Sequence, residues 1–93
     1  MKAEKVITKR EYIENLYNNF CKEILPYLDM HKIIDEETEL SDIVFFINLT
    51  FSNPNNLKET LKDIIDIHNI EVNEFEKAFE IFENFIKIFR EIK

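Results

Sequence analysis

Residues 43–51 read Ile43-Val44-Phe45-Phe46-Ile47-Asn48-Leu49-Thr50-Phe51, and whether this run is strand or helix decides the fold. Its β-branched and aromatic content suits a buried strand, and periodicity alone does not separate the two states in so short an apolar run. A lone strand, however, leaves a ladder of backbone N–H and C=O groups unpaired, and no second strand-like segment exists to satisfy them. The run therefore reads as helix, and the chain as all-α.

Working back from this run, residues 35–42 (Asp-Glu-Glu-Thr-Glu-Leu-Ser-Asp) form an acidic connection. Ser41 is its expected helix cap, with Leu40 and Phe45 as a hydrophobic staple. Further back, Thr8-Lys9-Arg10-Glu11 fits a capping box, and Ile7 is placed to staple on Tyr12. Beyond that box Ile13, Leu16, Tyr17, Phe20, Ile24 and Leu28 recur at helical spacing. Pro26 interrupts the pattern by lacking an N–H and crowding the preceding turn. It predicts a kink, or a short extra helix that starts near Pro26 and runs to about Ile34.

Working forward, Ser52-Asn53-Pro54-Asn55-Asn56 is a turn, and Asn56 is the expected cap of a third helix with Glu59 three residues on. Leu57, Leu61, Ile64, Ile65 and His68 share its expected inner face, and Asn69 is a tolerated left-handed stop. Asn73 is the expected cap of a last helix that runs to about Ile92. Glu71, Glu74 and Glu76 lie at its start and Lys87, Arg90 and Lys93 at its end, as the helix dipole favours. The architecture expected is a single domain, residues 1–93, folded as a small bundle of four main helices, or five if the segment after Pro26 forms its own.

Ninety-three residues suffice for one compact core that buries roughly 60% of the surface an unfolded chain exposes. The chain has no glycine, so it has no phosphate-cradling Gly-rich loop, dinucleotide-binding turn or nucleophile elbow. Twelve Lys and Arg against nineteen Asp and Glu give a net charge of −7, which opposes direct binding of nucleic acid. The cations Lys2, Lys5, Lys9 and Arg10 do not make a recognition helix. No apolar run approaches the roughly 18 residues that cross a bilayer, and the charged N-terminus is not followed by the apolar stretch of a secretion signal. The expected location is the cytoplasm. Fifteen Ile, ten Lys and ten Asn against two Ala follow AT-rich codons, which suits a low-GC microbe or its phage or plasmid.

Chemistry has few footholds. Cys21 is the only thiol, has no base at a telling spacing, and reads as a packing residue. His31 and His68 are the only imidazoles, and the paired Glu-x-x-His motif of a helical metal site is absent. The carboxylate pairs Glu36 and Glu37, Glu71 and Glu74, and Glu80 and Glu83 read as solvated surface. No catalytic residue, metal ligand or cofactor is expected.

Two features stand out. In residues 75–92 ten of eighteen side chains are apolar, five of them Phe, and they fall on two seams. Phe75, Phe79, Phe82, Ile86 and Phe89 make the first; Ala78, Ile81, Phe85, Ile88 and Ile92 make the second, about 100° away. A helix with two seams is either central in its bundle or offers one seam to another chain. The other feature is the stretch 29–42, which holds six acids and one base, Lys32. Asp35, Glu36, Glu37, Glu39 and Asp42 suit docking to a basic protein surface, and many basic surfaces bind nucleic acid.

The expected function is a non-enzymatic helical protein–protein interaction module. Its sharper form is an acidic inhibitor or immunity-type antagonist that masks a basic nucleic-acid-binding surface. The alternative is a homodimeric or oligomeric structural subunit joined through the second seam.

Overall fold

A computed structural model describes residues 8–92, and among them the chain folds into four α-helices with no strand. They are α1 (Lys9–Ile24), α2 (Leu40–Thr50), α3 (Leu57–Ile67) and α4 (Phe75–Glu91), with 3-10 turns at Met30–Lys32 and Pro54–Asn56. The run 43–51 is helical to Thr50. Ile7, Lys2, Lys5 and Lys93, which figured in the expected staple, basic cluster and helix end, lie outside the described residues.

The capping box forms as the sequence requires: the Glu11 N–H donates to Thr8 Oγ1 at 3.1 Å and the Thr8 N–H to Glu11 Oε1 at 3.2 Å. At the other end of α1, Pro26 does not begin a new helix. Leu25 stays in the right-handed region (φ −52°, ψ −40°), and the N–H groups of Tyr27 and Leu28 both reach Ile24 O. Pro26 is thus wrapped into the closing turn of α1, where its missing N–H stops the ladder. The short helix comes later, at Met30, where the Asp29 carboxylate accepts the His31 N–H at 3.1 Å.

Two expected caps fall elsewhere, and a third keeps its position without a side-chain bond. Helix α2 begins at Leu40 behind Glu39, so Ser41 is inside the first turn. The reason is the turn at Asp35, whose carboxylate accepts the Glu37 N–H and whose carbonyl accepts the Thr38 N–H, shortening the connection. Before α3, Asn56 stands at the expected cap position but makes no side-chain cap bond, while Asn53 accepts the Asn55 N–H at 3.0 Å and starts a 3-10 turn that runs into the helix. Asn73 does not cap α4: it lies one residue before the cap position, and its N–H donates to Tyr27 O at 2.8 Å, tying the α3–α4 loop to the end of α1. Glu74 takes the cap position in the left-handed region (φ 54°, ψ 68°).

Asn69 does stop α3 in the left-handed region (φ 54°). The Ile70 N–H reaches Ile65 O and the Asn69 N–H reaches Asp66 O, the pair of bonds that closes a Schellman turn. Leu57, Leu61 and Ile64 are buried and Ile65 is half-buried, whereas His68 faces solvent and does not join the inner face.

The core is aromatic. Phe20 of α1 stacks on Phe85 of α4 at 4.2 Å and 14°, and Phe51 meets Phe82 edge-on at 4.8 Å. Tyr17 touches Phe85 and Phe20 touches Phe82, so residues descend α1 as they ascend α4 and the two helices run antiparallel. Ile24, Leu28, Leu61 and Phe82 complete the driest part of the interior. On the far side of α4, the Lys58 and Lys62 ammonium groups of α3 lie over the Phe75 ring and Lys58 also over Phe79, closing the α3–α4 hairpin with cation–π contacts. At the end of α2 the Arg90 guanidinium donates to Phe51 O, meeting a carbonyl at the negative end of the helix.

Candidate docking face

Helix α2 packs with one side only. Ile43 and Ile47 point into the core, Val44 and Phe46 are half-buried, and Phe45 and Leu49 are each 66% exposed. These two lie one turn apart, so their side chains are neighbours on the outer surface, and Asp42 three residues before Phe45 extends the same stripe. An eleven-residue helix that is apolar nearly all round has a face left over once the core is filled.

The acidic stretch leads straight into this helix. Asp35, Glu36, Glu37, Glu39 and Asp42 are all exposed. Asp35 spends one carboxylate oxygen on the Glu37 N–H. Among the described residues the ion pairs are Lys58 with Glu76 and Lys77 with Glu74, so none of the five acids is neutralised by a neighbouring cation. An apolar pair on the helix and an uncompensated acidic approach thus occur on consecutive segments. Exposed apolar side chains beside polar ones are how interaction sites present themselves on small proteins.

The second seam of α4 is largely used up within the chain. Ala78 and Phe85 are buried, at 0% and 4% exposure, because α1 lies over them and Phe20 stacks on Phe85. Ile81 and Ile92 are half-buried and only Ile88 is exposed, at 41%. Ile81 and Ile88 edge a shallow groove with Leu16, whereas Ile92 lines a different cavity with Ile13 and Val44. The five residues therefore do not form one surface. Phe45, expected only as the staple partner of Leu40, and Leu49, not expected at all, form the more exposed apolar pair. Their signal was present in the absence of a polar face across residues 43–51, since any helix made of that run must leave apolar groups outside.

The groups with chemical potential are muted by their settings. Burial pushes the Cys21 thiol up, an effect the neighbouring Tyr17 hydroxyl partly offsets and the Asp29 carboxylate adds to, so the thiolate that does nucleophilic chemistry is disfavoured. Burial likewise raises the Tyr17 hydroxyl, reinforced by Cys21 one turn along, and that hydroxyl has no hydrogen-bond partner. His31 and His68 are both exposed on separate segments. Among the described residues no three His, Cys, Asp or Glu side chains gather as metal ligands would. None of the described helices is long and apolar enough to cross a membrane.

Comparison of the chain with protein-family models, with curated proteins and with solved structures gives no match.

Proposed function

We propose that the protein is a helical interaction module that docks through α2 onto a basic surface of another protein. The observation that carries this reading is the exposure of Phe45 and Leu49 on the helix that directly follows the unpaired acids of residues 35–42. The division of labour follows from physics. Unscreened acids steer a basic partner toward the site and set its register, while buried apolar contacts supply affinity. A net charge of −7 makes a second copy of the chain a poor occupant of an acidic face. In its sharper form the module is an antagonist that covers a surface otherwise used for nucleic acid. Support for that form is the acidity of the approach.

The alternative, a self-assembling structural subunit, keeps Ile88 and its groove with Leu16 and Ile81 as its support. One set of measurements separates them. Affinity purification with the wild-type chain, with Phe45→Ser/Leu49→Ser and with Glu39→Lys/Asp42→Lys is expected to recover a basic protein in fixed ratio with the wild type alone, and salt is expected to weaken that complex. Retention of the same protein by both double variants overturns the α2 reading. Salt-insensitive self-association that Ile88→Glu abolishes in a folded monomer establishes the alternative.

A further inference from the structure

A cavity of about 350 Å³ opens between the start of α1, the middle of α2 and the end of α4. Its apolar lining comes from Ile13, Val44, Phe89 and Ile92. Among the described residues its polar lining is Lys9, Asn48 and Arg90, two cations and an amide without a carboxylate, in a chain that carries nineteen acids. The size falls at the lower end of small-molecule sites, which begin near about 300 Å³ and pair an apolar wall with a few placed polar groups.

Arg90 is the fixed element. Its Nη2 donates to Phe51 O, so the guanidinium is anchored before any ligand arrives, and its remaining N–H donors stay available. Neither Lys9 nor Arg90 pairs with an acid among the described residues. A planar fork with donors to spare, one ammonium and one amide suit the two coplanar oxygens of a carboxylate, and the four apolar side chains suit a hydrocarbon chain attached to it.

We infer that this cavity binds a carboxylate carried on a short apolar chain. The carboxylate lies between Arg90 and Lys9, with Asn48 as a further donor, and the apolar chain covers Ile13, Val44, Phe89 and Ile92. Two sources share that chemistry, a free fatty acid and the C-terminal residue of an apolar peptide. The site is separate from the outer stripe of α2, and the variants that test it leave Phe45 and Leu49 intact.

The test is an amide chemical-shift titration of the full chain with decanoate, with decanol, and with an acetylated Leu-Leu peptide as free acid and as amide. Saturable shifts at Ile13, Val44, Asn48 and Phe89 with decanoate or the peptide acid are expected, weaker by at least about tenfold in Lys9→Glu and in Arg90→Gln. Tighter binding of decanoate points to a fatty acid, and tighter binding of the peptide acid to a chain terminus. Lys9→Glu puts an acid in the first turn of α1, where the helix dipole favours it, so this variant is expected to keep its fold even if Arg90→Gln loosens the end of α2. Equal affinity for decanol and decanoate, shifts centred on Phe45 and Leu49, or no saturation in the millimolar range overturns the inference.

Discussion

Phe20 and Phe85 stack face to face at 4.2 Å and 14°, and this contact converts the second seam of α4 from a surface into core. Phe85 also meets Tyr17 at 6.1 Å and Phe89 at 5.8 Å, so one ring joins α1 to two turns of α4. Truncating a ring so enclosed removes its burial and leaves a cavity, which costs about 3–5 kcal/mol. A domain of this size has little more than that to lose. Phe85→Ala is therefore expected to be largely unfolded by circular dichroism at 37 °C. Ile88→Glu, three residues on and 41% exposed, is expected to stay folded with a loss of about 1 kcal/mol or less in urea titration. Equal losses for the two variants would contradict the burial pattern.

Phe45 and Leu49 contribute little to the fold. At 66% exposure each buries a minor part of its side chain, and replacement by Ser costs chiefly helix propensity, about 0.5 kcal/mol per site. The double variant is expected to unfold within about 1 kcal/mol of the wild type while binding less of a hydrophobic dye such as ANS. A large loss of stability would mean that α2 packs on both faces.

The sequence shows the local structure well and the long-range structure poorly, and the caps make the difference plain. The Thr8 box and the Asn69 stop are legible because both partners of each bond lie within a few residues. Asn73 satisfies the same local rule, but Glu74 takes the cap position and the Asn73 N–H bonds Tyr27 O, a partner distant in sequence that no local rule supplies. Residue spacing likewise revealed two seams on α4 without revealing that α1 would cover the second. The acidic stretch was legible because charged loops stay in water, and all five named acids are exposed. The apolar half of the candidate face was hidden, since a run with no polar side gives no hint which two residues the core will leave outside.

Glu74 sits at φ 54° and ψ 68°, a left-handed conformation that a side chain with a Cβ makes unfavourable by about 1–2 kcal/mol. Its carbonyl nevertheless accepts the N–H groups of Lys77 and Ala78, so the position is held by the start of α4. Glu74→Gly relieves that conformation and gives up only an exposed 3.6 Å ion pair with Lys77, which is worth little. Net stabilisation of up to about 1 kcal/mol is expected after the flexibility of glycine in the unfolded chain is counted, raising Tm by about 4–8 °C. Asn69→Ala at φ 54° is expected to shift Tm in the opposite direction, because Asn tolerates that region and Ala does not. Calorimetry on the two variants checks both signs.

Tyr17 places a buried hydroxyl without a partner one turn from the buried Cys21 thiol, and the pair makes stability depend on alkaline pH. Both groups are neutral when protonated, and burial raises both above their ordinary values of 9.0 for the thiol and 10.0 for the phenol. The folded chain thus keeps protons that the unfolded chain releases once pH passes those ordinary values. Their contribution is fully present below about pH 9 and is lost as pH climbs toward the raised folded values, with a slope of up to about 1.4 kcal/mol per pH unit for each ionising group. Tyr17→Phe removes the unsatisfied hydroxyl and leaves the ring in place, so at neutral pH it is expected to match the wild type or gain about 1 kcal/mol. Its stability should also fall less steeply above pH 10, whereas Cys21→Ala should flatten the decline that starts near pH 9. Urea denaturation of both variants across the alkaline range measures these slopes. Wild-type slopes in both variants would show that neither group is kept protonated by the core.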